Sequence, residues 1–205
     1  MILLIDNYDS FSYNLVQFVG TLCKQKTGRE AERCAIRVIR NDELTTAQIR
    51  ELAPEAIILS PGPGRPEAAG VCEEVLRELS STIPTLGVCL GHQAICEVFG
   101  ATITYAKQLM HGKQSVVELD NTCVLFRGLP EKTPVARYHS LAADPETMPD
   151  CLKVTARTDD GEVMAVQHTE YPIFGVQFHP ESVLTPEGMR MLSNFLNSAL
   201  KIKQA

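Results

Sequence analysis

The stretch Pro84-Thr85-Leu86-Gly87-Val88-Cys89-Leu90-Gly91-His92-Gln93 constrains this chain more than any other. Thr85 to Val88 reads as a buried strand, Gly-x-Cys-x-Gly follows at once, and a helical pattern runs from Gly91 to Phe99. Strand, abrupt turn and helix in so short a space match the nucleophile-elbow pattern, with Cys in the place of Ser. Such a turn crowds the backbone, and residues without a Cβ at Gly87 and Gly91 let the helix fold back against the sheet. Cys89 is then presented outward at a helix N-terminus, where the dipole and unpaired N–H groups favour a thiolate. The N–H of Leu90 would point toward a developing oxyanion. Taken alone, the pentapeptide fits a buried structural cysteine equally well.

The first half of the chain repeats the strand and helix alternation. Short apolar runs bounded by Gly, Pro or Asn alternate with helical stripes, the rhythm of β-α-β units around a parallel sheet. Strands are predicted at Met1 to Ile5, Ala35 to Ile39, Ala56 to Leu59 and Thr85 to Val88. Helices are predicted from Ser10 to Leu22 behind an Asp9 or Ser10 cap, from Thr45, and from Val71 to Leu79. Thr45 and Gln48 have capping-box spacing. After Ala101 helices become scarce. Candidate strands at Ser115 to Leu119, Val135 to Tyr138, Val154 to Ala156, Val163 to Gln167 and Phe174 to Gln177 suggest an added antiparallel layer or a mixed sheet edge. A last helix is predicted from Pro186 to Leu200, with the proline in its first turn. Lys24 to Arg33 is charged and weakly patterned and reads as a solvated helix end or surface loop.

Length and charge remove several function classes. A chain of 205 residues with 44% hydrophobic content fits one domain over residues 1–205. A net charge of -6 argues against a polyanion-binding surface, so nucleic acid is not an expected partner. No apolar run approaches the ~20 residues of a membrane-spanning helix. The first residues, Met1 to Asp6, carry no basic leader or cleavage site and read as a strand, so a cytoplasmic protein away from membranes is expected. The 7 cysteines are irregularly spaced without a C-x-x-C pair, which fits a reducing compartment where most cysteines are small buried apolar residues. Cys89, His92 and Cys96 can be written as a zinc set, but no convincing fourth ligand accompanies them, and no metal is expected.

A nucleophilic cysteine needs a base. Of the 5 histidines, His179 has the most informative setting, in Gly175-Val176-Gln177-Phe178-His179-Pro180-Glu181-Ser182. Strand tips are where α/β folds collect catalytic groups. His179 and Glu181 stand two apart in an extended segment, so both side chains can leave on one face. The carboxylate could then bond one ring nitrogen and leave the other for the thiol. Ser60-Pro61-Gly62-Pro63-Gly64 follows another buried strand and lacks the residues of a P-loop or dinucleotide fingerprint. Two prolines stiffen it and two glycines permit close approach, which suits a loop lending a backbone N–H to an oxyanion. A plain turn is the alternative.

Together these three segments resemble, in order, the signatures of the class I (triad-type) glutamine amidotransferases. The resemblance covers nearly the whole chain. It implies an α/β, three-layer, flavodoxin-like fold with a mainly parallel central sheet and a small added antiparallel sheet. It implies that Cys89 attacks the side-chain amide of L-glutamine, that His179 shuttles the proton and that Glu181 orients His179. Gly62 and Leu90 would form the oxyanion hole, and Gly62, Pro63, Gly64, Gln93, Ser140 and Leu141 would hold the glutamine; for Gln93 an ordinary helix residue is the alternative. Ile5-Asp6-Asn7-Tyr8-Asp9-Ser10-Phe11, Arg40-Asn41-Asp42, Met110-His111-Gly112-Lys113 and Arg137-Tyr138-His139-Ser140-Leu141 look like the chorismate-pathway branch. That branch comprises the amidotransferase subunits of anthranilate synthase and of aminodeoxychorismate synthase. His111, Gly112 and Lys113 would by resemblance lie near the synthase subunit; a solvated turn is their plain reading.

The chemistry implied for this chain ends at ammonia, so the expected partner is a chorismate-binding synthase subunit. No cofactor is expected in this chain, and Mg2+ would be used by the partner. Tryptophan synthesis through anthranilate synthase is the main reading; the folate-pathway enzyme, or service to both, is the alternative. From another class, a cysteine hydrolase or peptidase would share Cys89 and His179 but has no need of Gln93 or the Pro-Gly-Pro-Gly loop.

Overall fold

The computed structural model describes residues 1–24, 28 and 32–201. Most of the charged stretch from Lys24 to Arg33 therefore lies outside the described residues. Strands β1 (Ile2–Asp6), β3 (Ala56–Leu59) and β4 (Thr85–Val88) are buried along their whole length. Their runs read as continuously apolar because helices cover both faces of the sheet. The side chains still alternate. Ile2, Leu4, Ala56, Ile58, Leu86 and Val88 enter one core with α1 (Ser12–Lys24) and α5 (Gly188–Ala199). Leu3, Ile5, Ile57 and Leu59 enter a second core with α2 (Thr46–Leu52), α3 (Cys72–Glu78) and α4 (Leu90–Val98). The period of two that defines a strand thus divides the protein into three layers.

With β2 (Ile36–Arg40) at one edge, the 9-stranded sheet of the described residues has the order β2, β1, β3, β4, β11 (Ile173–Val176), β10 (Val163–His168), β9 (Leu152–Thr158), β6 (Lys113–Leu119) and β7 (Lys132–Arg137). Pairing is parallel from β2 to β11 and antiparallel from β10 onward. Strands β9, β6 and β7 continue that antiparallel half. The late strands therefore form a mixed edge of the central sheet. A separate 2-stranded antiparallel sheet joins β5 (Ile103–Tyr105) to β8 (Leu141–Ala143).

Two local expectations shift. The last helix begins at Gly188, not Pro186, because the preceding segment is tied elsewhere: the Thr185 hydroxyl donates to the His179 carbonyl at 2.7 Å and accepts from the Ala136 N–H at 2.9 Å. Helix α1 starts at Ser12, since the Asp9 carboxylate and carbonyl accept from Phe11 and Ser12 and make a turn ahead of it. The capping box forms as the spacing requires, with Gln48 N–H donating to Thr45 Oγ1 at 3.3 Å and Thr45 N–H donating to Gln48 Oε1 at 2.9 Å.

Candidate active site

Cys89 joins β4 to α4 with φ 51 and ψ -100, a left-handed conformation that a side chain-bearing residue adopts only when its surroundings enforce it. Enforcement comes from both sides. The Cys89 N–H donates to the Val176 carbonyl at 2.9 Å, and its carbonyl accepts from Gln93 N–H at 3.0 Å, which starts the helix. The two flanking glycines behave as the sequence requires. A Cβ on Gly91 would stand 2.6 Å from the Leu59 carbonyl oxygen, and one on Gly87 would collide with the Gly91 carbonyl. Burial pushes the Cys72 thiol up to about 12 and raises those of Cys96 and Cys123, which marks these three as packing residues.

His179 stands opposite the elbow. Its Nδ1 lies 2.7 Å from Glu181 Oε1, and both residues are buried. Nε2 forms no other bond and is left for Cys89. Burial by itself lowers the His179 pKa, but the Cys89 sulfur and Glu181 together reverse this and raise it to about 10. Both partners therefore favour the protonated ring. Phe11 and Tyr138 hold the ring edge-on, with centroids 5.5 and 5.0 Å away. Gly62 reaches the same place from the loop after β3. A Cβ there would lie 2.5 Å from Asn7 Cβ and 2.8 Å from Leu90 Cδ2, so the loop backbone abuts the elbow. Ser60 anchors it, with its hydroxyl accepting from the Asn7 N–H and its carbonyl from Asn7 Nδ2, both at 2.8 Å. Pro63 and Gly64 form the exposed lip of that loop.

Gln93 is buried, and its Nε2 donates to the Leu141 carbonyl at 3.0 Å. The structure thereby brings together two residues expected to hold glutamine, with Ser140 exposed beside them. His111, Gly112 and Lys113 are exposed, and the His111 ring lies 6.3 Å from Tyr138, one ring removed from His179. Among the described residues no group of His, Cys, Asp and Glu is arranged to hold a metal ion, and no helix is long and apolar enough to cross a membrane.

Sequence reasoning missed a buried polar layer behind these residues. Arg137 and Glu162 form a buried ion pair, and Arg137 Nε donates to His139 Nε2 at 3.1 Å. Because the guanidinium only donates, His139 Nε2 must accept, and Nδ1–H is directed to the Leu141 carbonyl at 2.9 Å. Burial first and Arg137 second push His139 down to about 4, consistent with a neutral ring. Gln177 was also missed; a polar residue at the end of an apolar strand, two before His179, was the available signal.

A cysteine on a strand-to-helix elbow, faced by a histidine and carboxylate pair on a three-layer α/β sandwich, is an arrangement suited to acyl transfer from an amide. The chain belongs to the glutamine amidotransferase class-I family, whose model matches residues 3–199. It is 48% identical over 201 residues to the aminodeoxychorismate/anthranilate synthase component 2 of Bacillus subtilis, covering 98% of each chain. It is also 48% identical over 196 residues to the bifunctional protein TrpGD of Thermotoga maritima, covering 96% of this chain but 32% of that longer protein. In fold it resembles the crystal structure of a Thermoplasma acidophilum protein named for GMP synthase, with TM-score 0.82, 23% identity, and coverage of 98% of this chain and 94% of that one.

Proposed function

We propose that this protein is the glutaminase subunit of a chorismate-using synthase, foremost anthranilate synthase. Cys89 attacks the side-chain carbonyl carbon of L-glutamine while the Gly62 and Leu90 N–H groups stabilise the charge developing on oxygen. His179, oriented by Glu181, takes the thiol proton as Cys89 attacks and gives it to the departing nitrogen, and ammonia leaves a glutamyl thioester. Water, deprotonated by the same histidine, then releases glutamate and restores the thiol. Gly62, Pro63, Gly64, Gln93, Ser140 and Leu141 hold the substrate, and His111, Gly112 and Lys113 face the synthase subunit. No cofactor takes part within this chain. The observation that carries the reading is the strained Cys89 backbone with the His179 and Glu181 pair opposite.

The names of the relatives support a component 1 partner, and the Bacillus subtilis relative is named for both synthases. The test is reconstitution with each candidate synthase subunit, supplying chorismate, magnesium and glutamine and following anthranilate and 4-aminobenzoate together. Anthranilate with its own partner is expected; 4-aminobenzoate alone moves the assignment to folate synthesis, and both products indicate a shared subunit. Cys89→Ala should abolish the glutamine-dependent reaction while added ammonium still supports synthesis by the partner. Loss of both would mean that assembly, not chemistry, has failed and that the roles are misassigned.

A further inference from the structure

Gln177 follows β11 directly and is fully buried, with its carboxamide between the nucleophile and the wall formed by Gln93 and Leu141. A buried carboxamide can face either way, so its direction must come from a neighbour whose role is fixed. That neighbour is the Leu141 carbonyl, which can only accept. His139 Nδ1 and Gln93 Nε2 both approach it, at 2.9 and 3.0 Å. Gln93 Nε2 also donates to Gln177 Oε1 at 3.2 Å. With its oxygen thus turned to Gln93, Gln177 presents Nε2 to Cys89 Sγ at 3.6 Å.

We propose that Gln177 is a catalytic residue: its N–H is a hydrogen-bond donor to the Cys89 thiolate, and its direction is set through Gln93 by the Leu141 carbonyl. The inference rests on the reading of Cys89 as nucleophile and adds a second partner to the sulfur beside His179. A donor aimed at an ionised sulfur stabilises the charged form. The residues proposed to hold the substrate therefore also set the state of the nucleophile. Of the titratable groups around the sulfur, His179 with Glu181 comes from the segment after β11. His139, after β7, is pushed down by burial foremost and then by Arg137, and His92, on α4, by burial foremost, so both rings are neutral.

Gln177→Met keeps the length of the side chain and removes the donor, and Gln177→Glu turns an acceptor oxygen toward the sulfur. Labelling of Cys89 by iodoacetamide is followed in the full-length protein by peptide mass spectrometry, with half-buried Cys151 as the internal reference. At pH 7 the Cys89 rate is expected to fall about tenfold in Gln177→Met and further in Gln177→Glu, the size of a charge-assisted hydrogen bond. The deficit should close by about pH 10, where the sulfur ionises without help, and Cys151 should be unaffected. Cys89 rates equal to wild type at both pH values overturn the proposal. If Gln177→Met does not fold, Gln93→Met removes the group that directs Gln177, and the same slowing at pH 7 with recovery at high pH is required. Failure of the underlying reading is seen separately, as glutaminase activity that survives Cys89→Ala.

Discussion

Replacing Gly91 by alanine tests whether the geometry of the elbow, as well as its cysteine, sets the chemistry. The added Cβ would lie 2.6 Å from the Leu59 carbonyl oxygen and 2.7 Å from Leu59 Cβ, where ordinary contact begins at 3.4 Å. Leu59 cannot step aside cheaply, being fully buried at the end of β3 and paired with β1 and β4. The first turn of α4 must yield instead, by about 0.8 Å, and Cys89 moves with it. Overpacking of this kind costs about 1–3 kcal/mol of stability. Displacing a reacting group by near 1 Å costs on the order of 100-fold in rate. Glutamine hydrolysis by Gly91→Ala should therefore fall about 100-fold in kcat, with Tm lower by several degrees. Ammonium-dependent synthesis on the same complex separates lost chemistry from lost assembly. Gly20→Ala is the control: it sits within α1, where its Cβ would meet only Ile36 Cδ1 at 3.9 Å, and it should leave activity unchanged. Activity of Gly91→Ala within about threefold of wild type would refute the steric argument.

Stability should also depend on pH from both sides. Burial, more than any other cause, pushes His92 down to about 3 and His139 to about 4, so the unfolded chain takes up protons below its ordinary 6.5 that the folded protein refuses. Their contribution is present above pH 6.5 and is lost as pH falls through about 4 and 3; at pH 5 the loss is about 4 kcal/mol for the two together. His179 has the opposite sign, since its raised value gives stability that is full below 6.5 and lost as pH rises through about 10. Urea unfolding across this range checks both limbs, and His139→Gln should flatten the acid limb by about half; an unchanged acid slope would show that the ring is not held neutral. Glu162→Gln leaves the buried Arg137 charge without its partner and should cost about 3–5 kcal/mol. Replacing both partners by apolar residues should restore most of that loss in thermal unfolding, and equal destabilisation by single and double variants would contradict it.

The legible parts of this protein are those with a local cause. Continuous apolar runs gave the central strands because both faces are covered, and Gly87 and Gly91 announced a close approach of α4 to the sheet. His179 and Glu181 could be paired because an extended segment puts alternate residues on one face. The short strands β5 and β8 escaped notice, each being too brief for alternation to show and paired only with the other. The network of Arg137, Glu162 and His139 was hidden for a different reason. Its members come from β7, the turn before β10 and the segment after β7, and only the antiparallel half of the sheet brings Glu162 beside Arg137. Gln177 carried a local signal, but its role depends on Leu141 and Gln93, which are distant in sequence.

The separation of Cys89 and His179 is set by the sheet itself. Strands β4 and β11 are parallel neighbours in register from Ile173 with Thr85 to Val176 with Val88. Cys89 and Gln177 are the next residues on each strand, and the Cys89 N–H still reaches the Val176 carbonyl at 2.9 Å. Adjacent strands lie about 4.8 Å apart, a spacing that backbone hydrogen bonds hold. Gln177 therefore meets the sulfur through the geometry of the strand pair, and His179, two residues on, turns to the same face. Loops elsewhere can lengthen without disturbing this distance. A one-residue insertion between Val176 and His179 cannot, because it would reverse the face of every side chain after it and turn His179 away from Cys89.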